Sequence, residues 1–88
     1  MPKIILSNRF VTFYKNLPKA IQKKIKRQIK LLAENPRHPS LQTKPIQGTN
    51  GIYEARVDIN YRMTYERLAD DTLLLRVVAK HDDALKKP

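Results

Sequence analysis

Charged residues at alternate positions of two neighbouring segments could bind a phosphate group. Apolar and polar residues alternate in YEARVD at 53–58 and again in YRMTYE at 61–66, a pattern typical of β-strands with one buried face. If the apolar residues face a core, these side chains project from the other face: Glu54, Arg56, Arg62, Thr64 and either Arg76 or Lys80. Guanidinium groups bind phosphate oxygens in a paired geometry that lysine cannot match. We therefore predict an open phosphate-binding face, with ion pairing between Glu54 and a neighbouring arginine as the alternative interpretation.

A histidine follows the last predicted strand, close to the same edge of the sheet. His81 is one of two histidines in the chain, and imidazole exchanges a proton near neutral pH. A surface or capping role is the alternative for this residue. The chain has no cysteine, no closely spaced pair of histidines and no glycine-rich phosphate loop. We therefore expect any catalysis to need neither a metal nor a cofactor.

The positive charge of the chain predicts an anionic partner. Eighteen Lys and Arg residues stand against eight Asp and Glu, which gives a formal charge of +10. Self-repulsion of this kind lowers stability, and an anion relieves it. Nucleic acid is the first candidate partner, an acidic protein the second and a membrane surface a distant third. Because no segment approaches the roughly 20 apolar residues that a membrane span needs and there is no cysteine, we expect a soluble, cytoplasmic protein that does not bind membranes.

The elements that must position these residues follow from hydrophobic periodicity. The pattern predicts a strand at 3–6, a helix at 8–17 and a second helix at 18–35 that begins with Pro18. A long irregular loop at 36–51 and three further strands at 53–58, 61–66 and 72–79 follow. Tight turns are expected at 58–60 and 69–71, and Asp82 and Asp83 could cap a short last helical turn. The predicted fold is a single α+β domain over residues 1–88, ordered β-α-α-β-β-β. A helical hairpin packs on one face of a mainly antiparallel four-stranded sheet.

Three stretches of sequence resemble one known family. The segment LQTKPIQG at 41–48, the run IYEARVDINYRMTYE at 52–66 and the ending VVAKHDDALK at 77–86, together with the order of elements, resemble the RelE/ParE toxin superfamily of bacterial toxin–antitoxin modules. The resemblance covers nearly the whole chain. Its most specific part is the pair Tyr61 and Arg62, which opens the middle strand of the meander.

This resemblance implies a small toxin that cuts mRNA, usually on the ribosome, and that a cognate, acidic antitoxin silences. The ribose 2′-hydroxyl would attack the adjacent phosphate without a metal. By position, Arg62 would stabilise the transition state, Arg56 would supply a second cation and His81 would act as general acid or base. The residues expected to contact RNA are Lys44, Lys80, Arg76 and Glu54.

Two positions depart from the pattern of this superfamily. A catalytic tyrosine common near the C-terminus is replaced by Leu85 or Lys86, and Glu54 stands where RelE proper has a lysine. Two other hypotheses therefore stay open: a ParE-like protein that inhibits DNA gyrase by binding it, and a relic that keeps the fold but has lost toxicity.

Overall fold

The computed structural model describes residues 1–88, and its elements follow the predicted order. A single turn of 3-10 helix, Pro39–Leu41, interrupts the long loop. The strands and helices, in chain order, are β1 (Lys3–Leu6), α1 (Asn8–Lys15), α2 (Lys19–Glu34), β2 (Lys44–Pro45), β3 (Ile52–Arg56), β4 (Tyr61–Leu68), β5 (Thr72–Lys80) and α3 (His81–Lys86). None of the helices is long and apolar enough to cross a membrane.

The sheet has five strands rather than the predicted four, in the order β1-β5-β4-β3-β2. β1 pairs in parallel with β5, and the other neighbours are antiparallel. The additional strand is β2, whose Lys44 lies opposite Glu54. Two residues are too few to show alternation, so only the tertiary structure reveals this strand. Its Pro45 is tolerated because β2 is an edge strand.

The two helices form the predicted hairpin, and polar side chains fix their ends. The side chain of Ser7 accepts a hydrogen bond from the backbone N–H of Phe10, as expected of a cap. α1 ends at Lys15, two residues earlier than predicted. Gln22 of α2 then donates its side-chain N–H to the carbonyl oxygens of Tyr14 and Leu17, at the end of α1 and in the connection that follows it. Pro18 stands just before α2 rather than at its first position.

The core lies between the helical hairpin and one face of the sheet. It combines fully buried helix residues with alternate strand residues, among them Phe10, Ile25, Leu32, Ala55, Met63, Leu75 and Val78. The periodicity of the sequence predicts this arrangement. Leu41 of the 3-10 turn also belongs to the core, although its position in an irregular loop gave no sign of it. The loop is therefore fastened to the core at that point.

Candidate functional site

Arg56 and Arg62 lie directly opposite each other on adjacent strands. They are the last pair in the register of β3 and β4, and Arg62 also lies opposite Ala79 of β5. Side chains of such pairs are neighbours on one face, with Cβ atoms roughly 5 Å apart. Both arginines are half-buried, and neither forms an ion pair. Two cationic side chains at directly opposed positions repel, and a bound anion would relieve that repulsion.

The turn between β3 and β4 positions Arg62. One Nη of Arg62 donates to the carbonyl oxygens of Asp58, at 2.6 Å, and Tyr61, at 3.0 Å. The carboxylate of Asp58 accepts the backbone N–H groups of Asn60 and Tyr61, both at 2.8 Å, and Lys24 of α2 at 3.1 Å. Burial raises the pKa of Asp58, but these hydrogen bonds together outweigh it and leave the pKa below the ordinary 3.8. The predicted turn at 58–60 is thus confirmed.

Replacing Asp58 by asparagine should cost stability at neutral pH and not at low pH. A carboxyl group whose pKa is lowered by folding stabilises the protein above its unfolded pKa, and this contribution disappears as the pH falls through the folded pKa. Asparagine keeps the oxygen that accepts the turn hydrogen bonds but loses the charge. We expect the free energy of unfolding of Asp58→Asn to be about 1 kcal/mol lower than that of the parent at pH 7, and this difference to vanish near pH 2. Urea unfolding at both pH values measures this; an equal difference at both would contradict it.

His81 lies at the same end of the sheet as the two arginines, at the start of α3. Its backbone N–H donates to the carbonyl oxygen of Asn60 at 2.9 Å, and its Nδ1 is 3.5 Å from a carboxylate oxygen of Asp82. The side chain is 45% exposed. It lines a cavity of about 730 Å³ together with Tyr61, Lys80 and Lys86. Arg56 and Arg62 do not line this cavity, so the histidine shares an end of the sheet with the arginine pair but not a pocket.

Lys80 faces away from the arginine pair, which corrects one of the two expectations for the open face. It lies opposite Tyr61, and Tyr61 packs against the core on the helix-facing side. Of the two residues expected on the open face, Arg76 is the one that lies there, since its Nε and the Thr64 hydroxyl donate to the same Pro88 oxygen. The register shift between Thr64 and Tyr65 moves β5 by one residue relative to β4, and sequence periodicity does not predict where such an irregularity falls.

The other predicted RNA-contacting residues are held in ion pairs. Lys44 lies 3.3 Å from the carboxylate of Glu54, whose side chain is only 6% exposed, and Arg76 lies 2.8 Å from that of Glu66. The ion-pairing alternative for Glu54 is therefore realised, with Lys44 as its partner rather than an arginine. Lys44 keeps most of its side chain in solvent, so an RNA phosphate could still compete for its ammonium group.

The middle of the predicted open face is covered, which corrects the sequence-based expectation. Ala84 of α3 is fully buried, and so are Thr64 and Val77 of the strands that α3 contacts. The hydroxyl of Thr64 and the Nε of Arg76 both donate to the main-chain oxygen of Pro88, at 3.2 and 2.8 Å. A six-residue helix carries too little pattern to reveal a buried side. At the end of this face Arg56 and Arg62 are only half-buried, and His81 at the same end of the sheet is exposed.

Sequence reasoning overlooked several residues of this site. Asp58 was predicted only as a turn residue, yet it fixes Arg62 through its carbonyl oxygen and holds the turn through its carboxylate. Tyr61 and Lys86 line the cavity of His81, and only their place in the fold shows this. No group of three or more His, Asp or Glu side chains is arranged to hold a metal ion.

Comparison with known proteins connects this geometry to a family. A model of the ParE toxin of the type II toxin–antitoxin system parDE matches residues 4–84. No curated protein matches the chain in sequence.

Solved structures share the fold at low sequence identity. YafQ from E. coli strain BL21(DE3) is 23% identical, with a TM-score of 0.76 over 94% of this chain and 97% of that chain. A chain of the archaeal RelE–RelB complex from Pyrococcus horikoshii OT3 is 19% identical, with a TM-score of 0.74 over 90% and 93%. The YoeB/ParE toxin from Agrobacterium tumefaciens is 17% identical, with a TM-score of 0.74 over 90% and 98%.

Proposed function

The chain belongs to the ParE toxin family of type II toxin–antitoxin systems, and on that premise we propose that it is an endoribonuclease that cleaves mRNA, on the ribosome, without a metal. The observation that carries the proposal is the arginine pair. Arg56 and Arg62 lie opposite each other at one end of the sheet, and the exposed His81 follows β5 at the same end. Two cations can stabilise the charge on the phosphate, and a group able to exchange a proton can serve as general acid or base, which together support phosphodiester cleavage.

The chemistry assigned to these residues is attack by the ribose 2′-hydroxyl on the adjacent phosphate. A bond forms between the 2′-oxygen and phosphorus while the bond from phosphorus to the 5′-oxygen breaks. The products are a 2′,3′-cyclic phosphate and a free 5′-hydroxyl. Arg62, with Arg56 opposite, stabilises the charge on the crowded phosphate, since guanidinium groups bind its oxygens in pairs. His81 removes the 2′-hydroxyl proton or protonates the leaving 5′-oxygen.

Incubation with RNA in the presence of EDTA tests the proposal. Purified protein is mixed with end-labelled mRNA, with and without ribosomes, and the cut ends are analysed. We expect cuts that persist in EDTA and that leave 2′,3′-cyclic phosphate ends. No cuts under either condition, or cuts that EDTA abolishes, would overturn the proposal.

A gyrase-binding toxin is the second candidate. The observation that favours it is the covered sheet face, where Ala84 of α3 and the main chain at Pro88 occupy the surface that RNA was expected to follow. The missing C-terminal tyrosine points in the same direction. Inhibition of gyrase supercoiling with RNA left intact would identify this function. If neither activity is found and overproduction without antitoxin is harmless, the chain is a relic.

We propose that the protein is held inactive by an acidic antitoxin. Structures of relatives include the E. coli DinJ–YafQ toxin–antitoxin complex and the RelE–RelB complex. On this chain a set of exposed lysines on α2 forms no ion pair and suits an acidic partner: Lys19, Lys23, Lys26 and Lys30. An amphipathic, acidic helix of the partner would neutralise them.

The affinity for this antitoxin should fall as salt is added. Exposed charges are screened within about 3 Å at 1 M salt and about 10 Å at 0.1 M. We therefore expect the dissociation constant to rise at least about tenfold between these concentrations. Calorimetric titration of toxin with antitoxin over this range gives the slope. A dissociation constant that does not change with salt would refute an electrostatic interface.

A further inference from the structure

A second cavity lies at the far end of the sheet from the arginine pair, on the helix-facing side. It measures about 370 Å³ and lies between the loop that follows α2 and the strands β2, β3 and β4. Tyr53 near the start of β3 and Arg67 near the end of β4 line it, whereas Arg56 and Arg62 stand at the opposite ends of the same strands. The two sites therefore share the sheet but occupy different faces and ends of it.

Two stacked tyrosine rings and an arginine guanidinium group form one wall of this cavity. The rings of Tyr53 and Tyr65 stack with centroids 5.5 Å apart and an angle of 16° between their planes. The guanidinium carbon of Arg67 lies 5.6 Å from the centroid of the Tyr53 ring. Tyr65 is buried, and burial raises the pKa of its phenol, so it stays neutral at physiological pH. Layers of this kind offer a stacking surface for any planar base.

Two of the three cations that line the cavity have no carboxylate partner. Arg37 and Arg67 are exposed and take part in no ion pair, whereas Lys44, the third, is paired with Glu54. The only acidic residue lining the cavity is Asp71, which is unpaired as well. An unpaired arginine beside an aromatic surface recognises phosphate and a planar ring at once. The carboxylate of Asp71 can accept hydrogen bonds from hydroxyl or amino groups.

We propose that this cavity binds a nucleotide. The phosphate contacts Arg37 and Arg67, and the base stacks on the layer formed by Arg67 and Tyr53. Asp71 accepts a hydrogen bond from a ribose hydroxyl or from an amino group of the base. The ligand is a free nucleoside monophosphate or one unit of an RNA strand, since both present the same chemistry. The proposal goes beyond the proposed cleavage, because binding here is measured without any cut being made.

Nuclear magnetic resonance titration of the labelled protein tests the site. The probes are AMP, ribose 5-phosphate and a 2′-O-methylated adenosine hexanucleotide, which cannot be cleaved by 2′-hydroxyl attack. We expect AMP to saturate shifts of the Arg37, Thr43 and Arg67 amides, and ribose 5-phosphate to bind at least about fivefold more weakly because it has no base to stack. Tighter binding of the hexanucleotide at the same amides identifies RNA as the source; equal affinity identifies the free nucleotide.

Two variants and one control make the assignment specific. Arg67→Gln should weaken AMP binding about tenfold, whereas Arg27→Gln on α2 removes the same charge from an exposed helix and should change it less than twofold. Tyr53→Leu removes the aromatic ring from the stacking layer and should weaken AMP binding at least about fivefold. The proposal is overturned if Arg27→Gln and Arg67→Gln weaken binding equally, if ribose 5-phosphate binds as tightly as AMP, or if a glutamate hexapeptide displaces AMP from these amides. Because Arg67 is exposed, its variant should fold, and unfolding curves check this.

Discussion

Replacing Arg62 by alanine is expected to slow mRNA cleavage about 100- to 1,000-fold. Arg62 is the member of the arginine pair whose guanidinium is fixed in place, through its hydrogen bonds to the Asp58 and Tyr61 carbonyl oxygens. A cation held in position stabilises the charge that develops on the phosphate without having to reorganise. Single-turnover cleavage of a defined mRNA measures the rate of the chemical step. Arg62→Lys should recover only part of the rate, because an ammonium group cannot bind two phosphate oxygens in parallel.

A matched control variant and a second catalytic variant accompany this test. Arg27→Ala removes an exposed arginine of α2 and should cleave within about twofold of the parent, which accounts for the change in net charge. His81→Ala, at the other proposed catalytic residue, should slow cleavage about 100-fold. If Arg62→Ala folds normally and cleaves like the parent, the arginine pair is not the catalytic site.

The largest effect on stability is expected for Phe10→Ala. Phe10 is fully buried between α1 and the sheet, and truncation of a buried phenylalanine costs about 3–5 kcal/mol through lost burial and the cavity left behind. The free energy of unfolding of a native protein is only about 5–15 kcal/mol. The variant should therefore lose most of its stability. Urea unfolding followed by circular dichroism gives the difference.

Phe13 provides a matched control on the same helix. Phe13 is 36% exposed, and the guanidinium carbon of Arg9 lies 5.9 Å from the centroid of its ring. Phe13→Ala should cost less than about 1.5 kcal/mol, because more than a third of the residue already faces water and its truncation leaves no closed cavity. Equal destabilisation by the two substitutions would mean that the core is not centred on Phe10.

The sequence predicts those parts of the molecule that local periodicity controls. The spacing of Ile25 and Leu32 marks the buried side of α2, and the alternation through Met63 and Tyr65 marks the buried face of β4, as the structure confirms. The turn at Asp58 follows from short-range hydrogen bonding, which depends only on neighbouring residues. For the same reason, the opposition of Arg56 and Arg62 could be expected from two strands joined by a tight turn.

The remaining features depend on contacts between distant residues. The pairing of Lys44 with Glu54 requires β2 to reach the edge of β3, and nothing in the Pro- and Gly-containing loop indicates this. Burial of Ala84 requires α3 to fold back on the sheet, although its sequence is mostly charged. Because of a register shift in β4 and β5, Lys80 and Arg76 lie on opposite faces of the sheet, and no alternation pattern in the sequence predicts this shift. The residues of the candidate site could thus be predicted from the sequence, but the extent of their exposure to solvent could not.

The parallel pairing of β1 with β5 has a consequence for how this protein is made. Lys3 lies opposite Thr72 and Leu6 opposite Leu75, so the two strands meet only when the loop formed by everything between them has closed. Closing a long loop has an entropic cost that later contacts must offset, and folds rich in such contacts form slowly. During synthesis, the first strand has no partner until the fifth has emerged from the ribosome. A nascent chain that stops before Thr72 therefore has an incomplete sheet, and a ribosome cannot release a working toxin until the whole sheet has been translated.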